Sequence, residues 1–594
     1  MSLCNSKDSP YGLLLPHPKH CNMKINTLRG AAALLAASML IPAGLASAKK
    51  SNDNAVARNL STFSSIVREL EMNYVDSVKT DETFKTAIEA MLMTIDPYTE
   101  YYTPDTREDL AKMTTGEYGG IGSYVVEREG VTYISGPFED SPAAKAGLRP
   151  GDAILRVDTT STKGLTSDKV SALLRGKPGS TLRIDIKRPY VADSLLSVDI
   201  TRAKLATPSV PYFAMVDDGI GYIRLTSFIE KSPREVKDAL DSLKSKGALN
   251  GLILDLRSNG GGLLSAAVDI LGDFLPKGTE VLRTRGRDKK EEKIYKTSHS
   301  PIAPDLPLVV LIDGGSASAS EITAGAIQDL DRGVLVGSNS FGKGLVQSTR
   351  PLPYDGLLKL TVAKYYIPSG RCIQALDYSH RNPDGTVART PDSLTNVFST
   401  AGGREVRDGG GLKPDVTVDW GKANRLVYNL VRDFWIFDYA NRYAAQNPTI
   451  PAPEDFTITD EIYADFKQFI DPEKFKYDKV CEDIIKQLRE AAELEGYMND
   501  QTRSQIDSLA VSLTHNLQSD LDLKRKEVSE YLAEEIVSRY YFDRGRIIQE
   551  LKDDPGLKKS IEVLKDPTEY RRLLTAVKES KTPKGAKTDK TAKK

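Results

Sequence analysis

The chain is poor in the residues that most often announce chemistry. Its 594 residues include 4 cysteines, 5 histidines and 2 tryptophans. Cys4, Cys21, His17 and His20 all sit near the start. The cysteines that remain, Cys372 and Cys481, lie far apart in unlike surroundings and make no framework that demands a disulfide. No His/Cys/carboxylate cluster has metal-ligand spacing, so neither a metal nor another cofactor is expected. His299, His380 and His515 fall in polar stretches and read as solvated surface residues. An excess of one charge is missing too. Lys and Arg number 81 against 82 Asp and Glu, which gives no overall attraction to nucleic acid or to an anionic membrane. No nucleic-acid partner is expected. With 40% apolar and 27% charged residues the chain has an ordinary globular composition, and it is too long for one core, so several domains are expected.

One apolar run stands out. "MKINTLRGAAALLAASMLIPAGLASAKK" holds Lys24 and Arg29, then apolar residues from about Ala31 to Leu45, then Ala46-Ser47-Ala48. A short positive region, an apolar core and an A-x-A site make a secretory signal, cleaved after Ala48. Pro42, Gly44 and the modest apolar length argue against an uncleaved anchor. The pattern begins at Met23, which makes residues 1–22 an upstream extension of a leader spanning 1–48. No cysteine follows the apolar core, so no lipoprotein-type anchor is expected. The protein is expected to be exported, to the periplasm. At the other end, residues 579–594 are Lys-rich, lack an apolar pattern and read as a disordered tail.

Between these ends the texture changes several times. Residues 55–112 read as helical: Phe63, Ile66 and Leu70 share one face, Met91, Leu92 and Ile95 continue a second helix, and Pro97 breaks it. From Gly116 short strands take over. The run Gly119-Gly120-Ile121-Gly122, the segment "SPAAKAGLRPGDAIL" and a helix near Thr166 to Arg175 resemble a PDZ domain over residues 116–203. In such a domain the backbone N–H groups of Gly119, Gly120, Ile121 and Gly122 form a nest for a carboxylate. The strand from Ser123 to Val126 accepts an added peptide strand, and Val170 and Leu174 wall an apolar pocket. The expected partners are therefore proteins or peptides with free, apolar C-termini.

Residues 204–420 alternate strands with helices, an α/β core with crossovers. "SPREVKDALDSLKSKG" reads as a helix with Ser232 as N-cap and Gly247 at its end. "GLILDLR" and "LPLVVLID" are continuous apolar runs, as strands covered on both faces would be. Each ends in a small-residue turn: Asn259 to Gly262 after the first, "DGGSASAS" after the second. In open α/β sheets ligands collect at the carboxyl ends of strands. The second turn also opens a helix, where a serine can be held out beside free helix N–H groups.

A serine hydroxyl needs a base. Lys343, between Gly342 and Gly344, is one candidate, with Gln347 on its face of the chain. Taken alone, a lysine between glycines reads first as a solvated turn residue. Unshifted, only about 1 lysine in 2,500 is neutral at pH 7. Burial by Phe341, Leu345 and Val346 would lower that barrier, since burial can shift a lysine by roughly 3–5 units.

Together "GGSASASEITAG…GKGLVQS", "LDLRSNGGG", "YYIPSGRCIQ" and "GGGLKPDV" resemble the carboxy-terminal processing, or tail-specific, peptidases, serine proteases with a Ser–Lys dyad. The resemblance covers about Phe63 to Val418. It implies a crotonase-like core of ββα layers carrying an inserted PDZ domain. It makes Ser318 the nucleophile, Lys343 the base, Gln347 the supporting residue, and the backbone N–H groups of Ala319 and Gly261 the oxyanion donors. Ser316 and Ser320 are then turn and cap residues. Where the family often has proline this chain has Gly260. Arg175 matches an arginine that in the family relays ligand binding to the catalytic site. Residues 421–578 resemble the helical extension of the larger members, with packing on the core, oligomerisation or adaptor binding as its expected uses. Two other functions fit less of the pattern: an inactive PDZ scaffold on the same fold, and a Ser–Lys hydrolase of non-protein amides.

Overall fold

Helices at the start of the described chain follow from the apolar period seen in the sequence. The computed structural model describes residues 53–107, 110, 114–192, 194–288, 290–421 and 424–576. The expected leader (1–48) and the Lys-rich tail (579–594) lie outside these residues. The first of two units runs to Met91 and holds α1 (Asp53–Asn73) and most of α2 (Thr80–Met93). Within it Phe63 meets Phe84 edge to face, with ring centroids 5.7 Å apart.

The second unit begins with a departure from the helical expectation. After Pro97 the chain forms a strand, β1 (Glu100–Tyr102), paired antiparallel with a later strand at Leu357, Leu358 and Lys359. Tyr101 and Tyr102 favour the pleated surface, and cross-strand packing decides their state.

Next come β2 (Glu117–Gly120), β3 (Ser123–Arg128), β4 (Val131–Pro137), the short α3 (Pro142–Lys145), β5 (Ala153–Val157), β6 (Thr160–Ser161), α4 (Ser167–Leu174), β7 (Thr181–Lys187), β8 (Leu195–Thr201) and β9 (Ala203–Ala206). Five strands form a sheet in the order β3-β4-β5-β7-β8, with β6 on β5, while β2 pairs β9 apart from it. β3 is thus an edge strand. Ile134, Ile154, Val170, Ile184 and Ile186 form the buried centre.

The central sheet uses β10 (Tyr212–Asp217), β11 (Ile220–Arg224), β12 (Gly251–Asp255), β15 (Leu308–Ile312), β16 (Val334–Gly337) and β23 (Val416–Thr417), in that order. All neighbours from β11 onward are parallel. The crossovers are α5 (Ser232–Ser245), α6 (Leu264–Gly272) and α7 (Ala319–Asp329). Ser232 is not the cap of α5. Lys231 holds that position, and the Ser232 hydroxyl accepts from the Ile229 N–H and donates to Ser227 O. A hairpin of β13 (Glu280–Gly286) and β14 (Glu292–Lys296) joins β17 (Leu345–Pro351) and β18 (Leu357–Tyr366) in a second sheet that also takes in β1. Two small hairpins, β19 (Leu376–Arg381) with β20 (Val387–Arg389) and β21 (Val397–Ser399) with β22 (Glu405–Arg407), precede β23.

Side chains alternate across the central sheet. Ile223, Leu252, Leu254, Val310, Ile312 and Leu335 pack with the crossover helices. Tyr222, Ile253, Val309, Leu311, Val334 and Val336 point the other way and are just as buried. What covers that second face is the C-terminal extension. It comprises α8 (Arg425–Arg432), α9 (Trp435–Gln446), α10 (Asp460–Phe469), α11 (Val480–Leu494), α12 (Asp500–Ser512), α13 (Leu517–Leu523), α14 (Arg525–Lys552), α15 (Pro555–Lys565) and α16 (Pro567–Leu573). Most of it has its own core around Leu430, Tyr439, Phe466, Leu532 and Ile536. Non-helical backbone at Tyr541 and Phe542 breaks α14. Beyond the break Ile547 and Leu551, with Leu557 and Val563 of α15, close over the sheet. Arg257 pairs with Asp554 at 2.6 Å, and Arg128 of β3 pairs with Asp438 of α9 at 2.7 Å. Among the described residues no helix is long and apolar enough to cross a membrane.

Candidate active site

Three neighbouring parallel strands, β12, β15 and β16, end side by side, and each runs into a turn rich in small residues, 259–262, 314–318 and 338–344 respectively. The turns are tied to one another. Asn259, fully buried, donates from its side chain to Leu225 O at 2.7 Å. Its carbonyl accepts from the Ala317 N–H at 3.0 Å and from the Ser320 hydroxyl at 2.8 Å. The Ser316 hydroxyl donates to Leu256 O at 2.7 Å, and the Phe341 N–H donates to Ser316 O. Ser316 and Ser320 are therefore buried and committed to holding turns together.

Ser318 is different. Its neighbours Ser316, Ala317, Ala319 and Ser320 are buried, while Ser318 itself is half-buried. Its φ is +56° at the junction of turn and α7, a left-handed backbone that costs a non-glycine residue free energy and gathers at functional sites. The Ala319 N–H, first in the helix, has no acceptor among the described residues. Gly261 lies directly behind. A Cβ there would stand 2.7 Å from Ala317 O, 2.8 Å from Ala319 N and 2.9 Å from Ser318 Cβ, and its φ is +98°. The Gly261 N–H itself donates to Asn259 Oδ1 at 2.9 Å.

Lys343 reaches the same place from β16. Its backbone N–H donates to Glu321 Oε2 at 2.9 Å, and so does the N–H of Ser318, also at 2.9 Å. The other oxygen, Oε1, accepts from the Gly342 N–H at 2.7 Å and from the Ser340 hydroxyl at 2.5 Å. One carboxylate thus fastens the serine turn to the lysine loop. Tyr365 adds a second tie: its hydroxyl lies 2.7 Å from Lys343 O and 3.2 Å from Ser318 O. Glu321 is fully buried, and burial pushes its carboxyl up to about 7, against the lowering effect of the Ser340 hydroxyl and the three N–H groups. The Lys343 ammonium lies over the Tyr98 ring, 4.2 Å from its centroid. Burial first, then the nearby Lys359, pulls Lys343 down to about 8, opposed by Glu100, Glu321 and Asp96.

Gln347 sits two residues into β17 and donates to Thr361 Oγ1 at 3.1 Å. Thr361 N–H in turn donates to Thr99 Oγ1, whose hydroxyl reaches Asp96. Gln347 thus belongs to a chain of polar contacts beneath the lysine loop. The sequence reading missed Glu321, Asn259, Tyr98 and Tyr365. Glu321 had a signal: it stands three residues after Ser318, the reciprocal spacing of a capping box. Tyr98 had none, because a break in the helix brings it in from a distant segment.

In the PDZ-like region the Gly-rich run divides. Gly119 and Gly120 belong to β2 and pair with Lys204 and Ala203; only Ile121 and Gly122 form the loop. Their N–H groups have no acceptor among the described residues, while their carbonyls accept from Ala143 and Phe138. The nest expected over four residues therefore narrows, because strand pairing claims the first two. Val170 and Leu174 are 0% and 5% exposed, packed into the core rather than lining an open pocket. Arg175 follows α4, and the next residue, Gly176, donates to Gly119 O at 3.2 Å, fastening the helix end to β2. Arg175 also opposes the burial that pushes Tyr118 of β2 up to about 12.

Three family models match separate stretches of the chain. The model for peptidase family S41 matches residues 219–382. The PDZ domain model matches 133–188. The model described as "Probable PDZ-protease, C-terminal helical domain" matches 426–564. A carboxy-terminal-processing protease of Bartonella bacilliformis is 35% identical over 381 residues, 64% of this chain and 86% of that protein. A carboxyl-terminal-processing protease of Synechocystis sp. is 38% identical over 329 residues, 54% of this chain and 74% of that protein. The solved photosystem II D1 C-terminal processing protease is 28% identical and covers 62% of this chain and 91% of its own, with a TM-score of 0.34.

Proposed function

The chain belongs to the carboxy-terminal processing proteases of peptidase family S41, and from that premise we propose an exported, periplasmic serine endopeptidase that works through Ser318 and Lys343. The observation that carries this reading is the Glu321 carboxylate, which accepts from the backbone of both residues. Neutral Lys343 takes the Ser318 proton as Oγ attacks the scissile carbonyl. The oxyanion forms beside the Ala319 N–H and the Gly260–Gly261 turn, where fixed donors stabilise developing charge. Protonated Lys343 then gives its proton to the departing amine, and water, activated by the same lysine, hydrolyses the acyl-enzyme. The Gly261 donor is held by Asn259 Oδ1 and must turn away from it to serve. Gln347 supports the lysine loop through Thr361.

Recognition is assigned to the PDZ domain, residues 116–203. The free Ile121 and Gly122 N–H groups take the substrate's C-terminal carboxylate, with Gly119 and Gly120 setting the loop from β2. The open edge of β3 takes the main chain. An apolar last residue enters between Val170 and Leu174, which must part to admit it, and Arg175, at the end of α4, relays that binding to the catalytic centre. The remaining bounds follow: a leader over 1–48, a helical region over 55–112, a catalytic core over 204–420 with crotonase-like layering, and a helical extension over 421–578 available for oligomerisation or an adaptor.

A fluorophosphonate probe tests the reading. Labelling of the wild type, abolished in Ser318→Ala with the fold intact, is the expected result. Equal labelling of both would remove Ser318 as nucleophile, and no labelling of either would favour an inactive scaffold.

A further inference from the structure

The lysine that the proposed mechanism needs uncharged lies against an aromatic ring from a distant part of the chain. Its Nζ stands 4.2 Å from the ring centroid of Tyr98, a residue of the turn between α2 and β1. Phe341, two residues before Lys343, is 39% exposed and is a poor shield.

The Tyr98 ring is held from two sides. Asp96, itself buried, accepts from the N–H groups of Tyr98 at 2.8 Å and Thr99 at 2.7 Å. Thr99 Oγ1 accepts from the Thr361 N–H of β18, which fixes the turn to the second sheet. From the other side Tyr378 of β19 meets the ring edge to face, with centroids 5.9 Å apart, and its hydroxyl donates to the Tyr98 hydroxyl at 3.2 Å. β19 is tied in turn to the lysine loop: Gln374 accepts from the Gly344 N–H at 2.7 Å and donates to Leu376 O at 2.9 Å. Three segments far apart in the sequence thus converge to seat one ring on one amine.

We propose that Tyr98 is a positioning residue for the reaction: its ring, braced by Tyr378, covers the Lys343 amine and keeps water from it; the proposal rests on Lys343 as base. The charges around the lysine do not by themselves explain an amine that gives up its proton readily. Glu100 of β1, Glu321 of α7 and Asp96 favour the ammonium, and Lys359 of β18 opposes it while itself paired with Glu100 at 2.7 Å. What pulls Lys343 down to about 8 is first of all burial, because an amine cut off from water is harder to charge. The π face also attracts the ammonium. Exclusion of water outweighs that attraction, since burial is the leading effect on this lysine.

Profiles of kcat/KM against pH, measured on the full chain with one peptide, test this. In the wild type the acid limb is expected near 8. In Tyr98→Ala water reaches the amine, and the limb should move up by about one pH unit or more, toward the ordinary lysine value. At pH 7 kcat/KM then falls at least tenfold, since one unit is a factor of about ten in neutral amine, and the deficit should shrink as the pH rises toward 10. Tyr98→Phe keeps the ring and should hold the limb in place. Tyr378→Ala removes the brace and should move the limb in the same direction as Tyr98→Ala; it carries the test if Tyr98→Ala does not fold. A limb that stays in place in a folded variant, or moves to lower pH, would overturn the proposal. So would a loss by one constant factor at every pH, because a merely structural role lowers the active fraction without changing its titration. The wild-type profile separates the failures. A wild-type limb near 8 that Tyr98→Ala leaves unmoved removes Tyr98 alone, whereas a wild-type profile flat from pH 6 to 9 removes Lys343 as base and Tyr98 with it.

Discussion

The backbone N–H of Ser318 donates to the Glu321 carboxylate at 2.9 Å, and both oxygens of that carboxylate hold the loop that carries Lys343, one of them the same oxygen that accepts from Ser318. Four donors converge on two oxygens, and a buried N–H left unpaired costs about 1–3 kcal/mol. Glu321→Gln replaces one acceptor with an NH2 group, which faces donors it cannot satisfy. Expected are a fall in kcat of about 10–100-fold, by the free-energy scale of one or two misplaced donors, and a lower Tm. Probe labelling should slow in proportion to kcat. Full activity in a folded Glu321→Gln would show that the carboxylate only stabilises the turn.

The lysine gives a pH signature. Its folded-state pKa is lowered to about 8, chiefly by burial, and the proposed role as base requires the neutral amine. Activity should therefore be lost as pH falls through about 8, approaching tenfold per pH unit on the acid side. Lys343→Arg stays protonated at every usable pH and should lose roughly 10³-fold or more, a scale typical of removing a base that acts in concert with a nucleophile. A pH profile of kcat/KM that is flat from 6 to 9, or an active Lys343→Arg, would reassign the base.

The serines of the motif separate by function. Ser318→Ala should abolish turnover with little change in Tm, since the residue is half-buried. Ser316→Ala removes a buried hydroxyl that donates to Leu256 O and accepts from the Asp313 N–H. Its cost is expected in stability, about 1–3 kcal/mol, with probe labelling retained at temperatures where it stays folded. Denaturant melts and labelling on the same preparations distinguish the two.

Much of the fold was legible in the sequence because the central strands carry its strongest pattern. Continuous apolar runs ending in Gly- and Ser-rich turns announce strands buried on both faces, and "GLILDLR" and "LPLVVLID" became β12 and β15. What covers the second face was not legible. Ile547, Leu551, Leu557 and Val563 reach it only because α14 breaks at Tyr541–Phe542, and helical periodicity says nothing of where a helix docks. The strand at Glu100–Tyr102 was hidden for a related reason, since its pairing partner lies far along the chain. Gly119 and Gly120 show the same limit. Composition marks a flexible turn, but pairing with Ala203 and Lys204 makes them strand.

Gly261 tests the close approach behind Ser318. With φ at +98° and backbone atoms of Ala317 and Ala319 within 2.8 Å of where a Cβ would be, Gly261→Ala must push the oxyanion turn away from Ser318. Loss of a single oxyanion donor typically costs about 10²–10³-fold in kcat, and a loss of that order is expected with KM little changed. Gly260→Ala has open space around its Cβ position and should be far milder. Equal losses in the two variants would mean that the contact with Ser318 is not what matters.

Recognition of the substrate's end is testable at Gly122. The two free N–H groups of the loop, Ile121 and Gly122, can surround an anion, and amidating a peptide's C-terminus removes that anion while leaving the scissile bond alone. Cleavage should slow at least tenfold for the amide, because an ionised partner makes the stronger hydrogen bonds. Gly122→Ala acts on the protein side of the same contact. Its φ is +78°, and a Cβ would lie 2.5 Å from Ser141 Cβ, so the loop must shift and its donors with it. Binding can be measured on the full chain carrying Ser318→Ala, so that the peptide is not cut. The free acid should bind at least tenfold more weakly once Gly122→Ala is added, while the amide, already deprived of the carboxylate, should change little. If acid and amide weaken together, the substitution has damaged the fold of the domain rather than the anion contact. If they bind alike before any substitution, the loop does not read the C-terminus.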